Sequence, residues 1–184
     1  MLAYLFWHER RPDEVDADRY VALLEAFHGA LAAAPPPGFR RSWSVRLETA
    51  PWNGGPGEPF EDWYLADDWA ALGTLNDAAV RAPRQTSHDA VATLARNGAG
   101  AVYAVQHGDL DGPRPWAGWL AKPDRMPYDA FVPELLGALE GVPATVLRRQ
   151  MVLGPAPEYA ILTDREPALP WPVTATAPRP LSGG

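Results

Sequence analysis

The segment Phe60–Leu72, FEDWYLADDWAAL, constrains this chain more than any other stretch, because it is echoed once, late in the sequence. Glu61, Leu65, Asp67, Ala71 and Leu72 recur as Glu158, Leu162, Asp164, Ala168 and Leu169, each at an offset of 97 (158 − 61) and without a gap. Self-similarity at a fixed spacing marks repeated structural units and has to be accounted for before any other pattern. The segment reads as an apolar strand running into a helix, with Asp67 or Asp68 placed to accept from free amides at the helix start. The chain is therefore expected to hold two copies of one small α+β unit.

Taken in order, Ala3–Glu9 is apolar and aromatic on both faces, with Tyr4, Phe6 and His8 opposite Leu5 and Trp7, which suits a strand covered on both sides. Asp16 or Asp18 caps a helix whose stripe is Val21, Leu24, Phe27, His28 and Leu31, and Pro35-Pro36-Pro37-Gly38 ends it. Phe39–Leu47 alternates, with Phe39, Arg41, Trp43, Val45 and Leu47 on one face and Arg40, Ser42, Ser44 and Arg46 on the other. After the loop Pro51–Gly57 come the strand Phe60–Ala66 and a helix with Trp69, Leu72, Leu75 or Asn76, and Ala79 inward. A break at Arg81–Gln85 precedes a second helical piece capped by Thr86 or Ser87 and stopped by Asn97-Gly98.

Gly100–Gly108 forms a further strand, and Trp116–Ala121 reopens the pattern of Ala3–Glu9. A helix follows between Tyr128 and Glu140, with Pro133 expected to split off a short first turn. Thr145–Leu153 reads as the counterpart of the Trp43 strand, because Arg148-Arg149 echoes Arg40-Arg41 at an offset of 108. Tyr159–Thr163 is the last strand, and Pro167, Pro170 and Pro172 prevent a final helix. The expected organisation is a first repeat over 1–98, a second over 99–169 lacking its last helix, and a loose Pro-rich tail over 170–184. The uncovered sheet face of the second half then needs the tail, or a second copy in a homodimer, to cover it.

Two β-α-β-β units in tandem, each of ferredoxin-like order, resemble the dimeric α/β-barrel superfamily in the form where one chain carries both halves. That superfamily includes antibiotic-biosynthesis monooxygenases, EthD-like and NIPSNAP-like proteins, chlorite-dismutase relatives and muconolactone isomerases. The resemblance covers about residues 1–166 and rests on element order and the echo, not on a catalytic motif. It implies an antiparallel α/β barrel with ligands held between helices and sheet.

Composition narrows the partners. A formal charge of −7 argues against nucleic acid or an anionic membrane surface, both of which need a basic footprint. The absence of cysteine excludes disulfides and thiolate chemistry. The opening MLAYLFWHERR has no positive n-region and too short an apolar run for a signal peptide, so a soluble cytoplasmic protein is expected.

Among groups that could carry chemistry, His28 and His88 are the candidates for proton transfer near neutral pH. The plainer readings are a core histidine for His28 and a solvated first-turn residue for His88. His8 suits the surface as well as a pocket, and Ser87-His88-Asp89 has the letters of a triad without its convergence in space. The eight tryptophans suggest a flat-walled cavity, with Trp43 and Trp63 as walls and Tyr64, Arg41, Asp62 and Asn76 as its polar groups. No metal and no cofactor are expected, since no HxH, HxxxH or HxxE spacing and no GxGxxG or P-loop occurs. A haem on His28, His88 or His107 is an alternative that only the resemblance suggests. The expected function is binding of a small apolar or aromatic molecule. As an enzyme, the protein would act without metal on an aromatic or polyketide-like substrate by acid–base or oxygenation chemistry. The alternative is a non-catalytic binding or structural barrel with the same tryptophans packed solid.

Overall fold

The computed structural model describes residues 1–53 and 55–181. In chain order the elements are β1 (Leu2–Arg10), α1 (Ala17–Ala33), β2 (Phe39–Arg46), β3 (Pro59–Ala66), α2 (Trp69–Ala79), α3 (Gln85–Ala92) and β4 (Ala95–His107). They continue as β5 (Trp116–Leu120), α4 (Tyr128–Ala138), β6 (Ala144–Arg149), β7 (Tyr159–Thr163), β8 (Thr174–Thr176) and β9 (Arg179–Pro180). All nine strands join one antiparallel sheet in the order β8-β5-β7-β6-β4-β1-β3-β2-β9. Residues 116–163 thus run β-α-β-β, as expected.

The sheet is curled. β8 and β9 lie at opposite ends of the strand order, yet only Ala177 and Pro178 separate them in the chain. Three residue steps span at most about 10 Å, so the two sheet edges must come together. The interior of the curl is one cluster drawn from seven strands, including Trp7, Val45, Trp63, Tyr103, Trp119, Leu147 and Leu162. Trp52, from the loop after β2, packs against Trp7 and Trp119 at ring separations of 5.5 and 4.8 Å. On the outer face, Tyr20, Leu24, Phe27 and Leu31 of α1 meet Phe60 and Tyr64 of β3, with Leu75 and Val91 from α2 and α3. Each such fully buried side chain is worth about 1.5–3 kcal/mol over an exposed one. A second outer cluster sets Phe131, Leu135 and Leu139 of the α4 region on Val146, Tyr159 and Ile161.

Several expectations are corrected. The tail from residue 170 is not loose: Thr174–Thr176 pairs with β5, Arg179–Pro180 pairs with β2, and Thr176 Oγ1 accepts from Trp119 Nε1 at 3.0 Å. Leu169, Trp171 and Val173 pack on the Phe131 cluster, so the tail provides one of the two covers expected for that sheet face. β6 ends at Arg149, and Met151, Val152 and Leu153 form an exposed turn instead of continuing the strand. Trp43 faces Trp63, and Leu147 faces Ala160, which lies 97 after Trp63. By this pairing Leu147 stands to Ala160 as Trp43 to Trp63, an offset of 104 (147 − 43) and not the 108 of the Arg-Arg echo. Phe39 leaves the face of Trp43 and joins the helix-side cluster, because the β2–β3 register shifts between Phe39 and Arg41. α3 starts after Arg84 without a side-chain cap, and Ser87 Oγ donates back to the Arg84 carbonyl. β4 already begins at Ala95, so Asn97-Gly98 lies in a strand. α4 runs unbroken through Pro133, whose missing N–H leaves only the carbonyl of exposed Asp129 without an intrahelical partner. No helix among the described residues is long and apolar enough to cross a membrane.

Candidate functional site

β3 alternates strictly, and that decides which side chains can share a site. Glu61, Trp63 and Leu65 face the barrel interior, while Phe60, Asp62 and Tyr64 face the helices. On β1 the same parity sends Tyr4, Phe6 and His8 to the helix side and Leu5 and Trp7 inward. A cavity of about 600 Å³ opens between this outer face and α1, α2 and α3, within the range of small-molecule sites. All of its lining residues lie between Tyr4 and Val102.

Space for the cavity comes partly from small residues. Tyr4 and Phe6 lie flat across β4, where a Cβ on Gly100 would sit 2.7 Å from the Tyr4 hydroxyl and one on Gly98 2.7 Å from the Phe6 ring. Glycine at both positions lets these rings floor the cavity instead of filling it. On the opposite wall, α2 presents Leu72, Gly73 and Asn76, and a Cβ on Gly73 would meet nothing within 4 Å. At the mouth stands Trp69, 47% exposed on the first residue of α2, with Val80 beyond the helix end.

The polar end of the cavity is built around Asp62, a buried carboxylate. Asp62 Oδ2 lies 3.2 Å from His8 Nε2 and accepts from the Tyr64 hydroxyl at 3.1 Å. Asp62 Oδ1 lies 3.7 Å from His28 Nε2 and accepts from Ser44 Oγ. His8 Nε2 stands within hydrogen-bond reach of Asp62 and His28 Nε2 somewhat farther off, so charge and hydrogen bonding both draw the rings to the carboxylate. Each ring is held from behind: His8 Nδ1 is 2.8 Å from the Tyr20 hydroxyl, and His28 Nδ1 is 2.7 Å from Ser42 Oγ. Burial by itself raises the Asp62 carboxyl, but the charge of His8 and the hydrogen bonds of His28 and His8, with the charge of His28 behind them, outweigh it and hold it well below the usual carboxylate range. Burial, reinforced by the negative charge of Asp62, pushes the Tyr4, Tyr20 and Tyr64 phenols up. These phenols stay protonated and act as donors. A Tyr20 hydroxyl that donates to Nδ1 leaves the His8 ring proton on Nε2, facing Asp62. The arrangement is therefore a Tyr20–His8–Asp62 relay.

Of the residues singled out from sequence, Asp62, Tyr64, Asn76 and His88 line the cavity. His88 does so from α3, with its Nδ1 2.9 Å from Asp89 Oδ1 and its ring edge-on to Phe27 at 5.5 Å. His28 stands behind the wall and touches the site through Asp62, which makes it a positioning group. Trp43 and Trp63 are elsewhere: they stack at 5.6 Å on the interior face, because Trp63 cannot share a face with its neighbours Asp62 and Tyr64. Arg41 is exposed and lines no part of the cavity. His107, exposed at the end of β4, also lies outside the lining. Among the described residues no three His, Asp or Glu side chains are arranged to hold a metal ion. His8, which from sequence suits the surface as well as a pocket, is buried and lines the cavity, while Tyr20 and Ser44 were not among the candidates. Parity was a usable signal for Ser44. Tyr20, Leu24, Phe27 and Leu31 also make a better helical stripe than one starting at Val21.

His28→Leu is expected to destabilise the fold by about 1–3 kcal/mol, because Ser42 loses its partner and Asp62 one of its two compensating rings. Chemical denaturation at neutral pH measures this, and a neutral or stabilised variant would show that His28 only fills space.

No protein-family model matches the chain, and no curated protein matches it in sequence. Solved structures do match in fold. A proposed monooxygenase from Fusobacterium nucleatum aligns over 98% of this chain and 92% of its own, with a TM-score of 0.66 and 9% identity. A proposed monooxygenase from Lactobacillus acidophilus aligns over 89% and 77%, at 0.52 and 10% identity. A proposed chlorite dismutase aligns over 98% and 96%, at 0.50 and 14% identity. At these identities the likeness concerns backbone architecture, and with the curled antiparallel sheet and its outer helices it leads to one assignment: the chain has the fold of the dimeric α/β-barrel superfamily.

Proposed function

We propose that this protein binds a small, largely apolar molecule in the cavity under α2 and α3 and acts on it as an acid–base enzyme without a metal. The observation that carries this reading is the buried Tyr20–His8–Asp62 relay at the polar end of a 600 Å³ apolar cavity. A purely structural sheet has no use for a charged carboxylate between two imidazoles, which costs several kcal/mol to desolvate. In this reading the Tyr20 hydroxyl passes its proton to His8 Nδ1 as its oxygen takes one from a weakly acidic O–H or C–H of the ligand, and Asp62 stabilises the imidazolium that forms. Tyr64 supplies a neutral donor, His28 positions Asp62, and His88 with Asp89 serves the opposite wall. The ligand is planar or aromatic in character, matching Tyr4, Phe6, Phe27 and Trp69. Oxygenation by dioxygen, which takes two electrons from the resulting carbanion or enolate and a proton back from the relay to form a carbon-bound hydroperoxide, is the finer reading that the proposed monooxygenases among the structural matches favour.

The architecture fits a duplicated unit in which the first half keeps the site and the second is scaffold. The strand orders β4-β1-β3-β2 and β8-β5-β7-β6 correspond element by element. The offset of 97 also preserves faces: Trp63 and Leu65 point inward like Ala160 and Leu162, and Tyr64 points outward like Ile161.

Gly73 gives a direct test. Gly73→Leu projects a side chain into open cavity space from a helix that gains propensity, so stability should hold or rise by up to about 1 kcal/mol. Planar aromatic compounds screened by Trp69 fluorescence should bind the wild type and lose affinity at least tenfold in Gly73→Leu. His8→Gln should keep binding and lose turnover. A wild type that binds none of them, or a binder indifferent to Gly73→Leu, overturns the cavity reading; binding without any His8-dependent turnover leaves a binding protein.

A further inference from the structure

One buried ionisable group has no part in the cavity. Glu61, next to Asp62 on β3, points the other way into the barrel interior, where it is fully buried. Its two oxygens accept separately from indoles: Trp7 Nε1 donates to Oε2 at 2.6 Å and Trp63 Nε1 to Oε1 at 2.7 Å. Among the described residues no cation lies in ion-pair contact with it. Arg114, the nearest guanidinium along the recess described next, is half-exposed and already faces Asp111 at 3.7 Å and Asp164 at 3.3 Å. Tyr103 of β4 is the other titratable group facing it; its hydroxyl donates to the Pro157 carbonyl, and Arg149 of β6 lies beyond, held by the Gly154 and Ala156 carbonyls.

Beside Glu61 is a recess of about 10 Å³, walled by Trp43, Trp63, Arg114 and Pro178. That is roughly the room one water needs. Trp43 Nε1, a wall residue's indole, is buried and finds no partner among the described residues. A buried unpartnered donor beside a carboxyl group in a one-water space is the usual signature of an ordered solvent molecule.

We propose that this recess is a water-binding site through which Glu61 exchanges a proton with solvent, and that the charge on Glu61 acts across β3 on the Asp62–His8–His28 cluster. The water accepts from Trp43 Nε1 and donates to Glu61, completing three donors around the carboxylate. Loss of the Glu61 proton places a negative charge one residue from Asp62, across a thickness of sheet from both imidazoles, and changes the field that the cluster feels. The second step rests on the functional reading only in giving the cluster a role. The electrostatic coupling exists whether or not the cavity is catalytic.

The test uses the full chain, isotopically labelled at glutamate carboxyl and histidine ring positions and titrated by NMR from about pH 5 to about 9 without ligand. In the wild type, one glutamate carboxyl should titrate near neutrality and vanish in Glu61→Gln. The His8 and His28 ring signals should shift across that same Glu61 transition in the wild type and lose this inflection in Glu61→Gln, as a nearby negative charge is removed. Trp43→Phe, which keeps both indole donors to Glu61, should raise the Glu61 midpoint because the bridging water is lost. It also decides the matter if Glu61→Gln fails to fold. The proposal is overturned if no wild-type glutamate titrates in that range, if the histidine ring signals carry no inflection at the Glu61 transition, or if Trp43→Phe leaves the Glu61 midpoint unmoved. Ring signals blind to Glu61 in a protein that still binds aromatic ligands would sink this coupling alone and leave the functional reading standing.

Discussion

Asp62→Ala is expected to lower the unfolding free energy by about 3–5 kcal/mol at neutral pH, a large part of the 5–15 kcal/mol typical of a domain. The change strands two buried imidazoles and leaves Ser44 and Tyr64 without their acceptor, so the loss comes from uncompensated polar groups and not from lost volume. Asp62→Asn removes the charge and keeps an acceptor for only one hydroxyl, since Ser44 and Tyr64 donate to different oxygens, but it leaves no empty space and its loss should be smaller, about 1–3 kcal/mol. Urea denaturation of the three proteins measures the series. An alanine variant within about 1 kcal/mol of the wild type would mean that the cluster is not held together through Asp62.

Stability should also depend on pH in two opposite ways, one from each face of β3. Burial raises the Glu61 carboxyl from 4.5 to about 7, against the lowering effect of the Trp63 and Trp7 hydrogen bonds. The folded protein therefore holds this proton more tightly than the unfolded chain does. Stability is fully present below about pH 4.5 and falls as pH rises through about 7, by roughly 3 kcal/mol in all. Asp62 behaves in the reverse sense: its carboxyl is depressed, so its contribution is present above its ordinary value of 3.8 and is lost as pH falls below it. The stability curve should peak between these windows, on the acid side of neutral. Glu61→Gln should flatten its neutral arm and leave the acid arm unchanged. Thermal or urea unfolding across this range checks both arms, and a wild-type curve flat between about pH 5 and 8 would contradict the burial of an ionisable Glu61.

The echo of Glu61–Leu72 carried much of the architecture, because a face-preserving spacing between two strands is a long-range statement in a one-dimensional text. The β-α-β-β order of residues 116–163 was legible for the same reason. The Arg148-Arg149 match does not agree with the cross-strand pairing, since an identity of two residues says little about register. The proline-rich tail was unreadable as strand: proline at 178 and 180 forbids a central strand but permits pairing at an edge, and only the curl of the sheet puts edges there to be joined.

For the site, local chemistry in the sequence determined the components: a strand with adjacent acids, histidines on apolar stripes, and an aromatic content larger than a simple core needs. Period-two alternation already pairs His8 with Tyr4 and Phe6, and applied to β3 it also separates Trp63 from Asp62. What only the tertiary structure decided was which components meet. His8 and Asp62 are 54 residues apart (62 − 8) and adjacent solely because β1 pairs with β3. Tyr20 reaches His8 because α1 crosses that same face. The cavity exists because the rings of Tyr4 and Phe6 find glycines to lie on in β4. Contacts between distant segments depend on sheet register and helix placement, which are set by the sum of the packing and not by any residue's own neighbours in the chain.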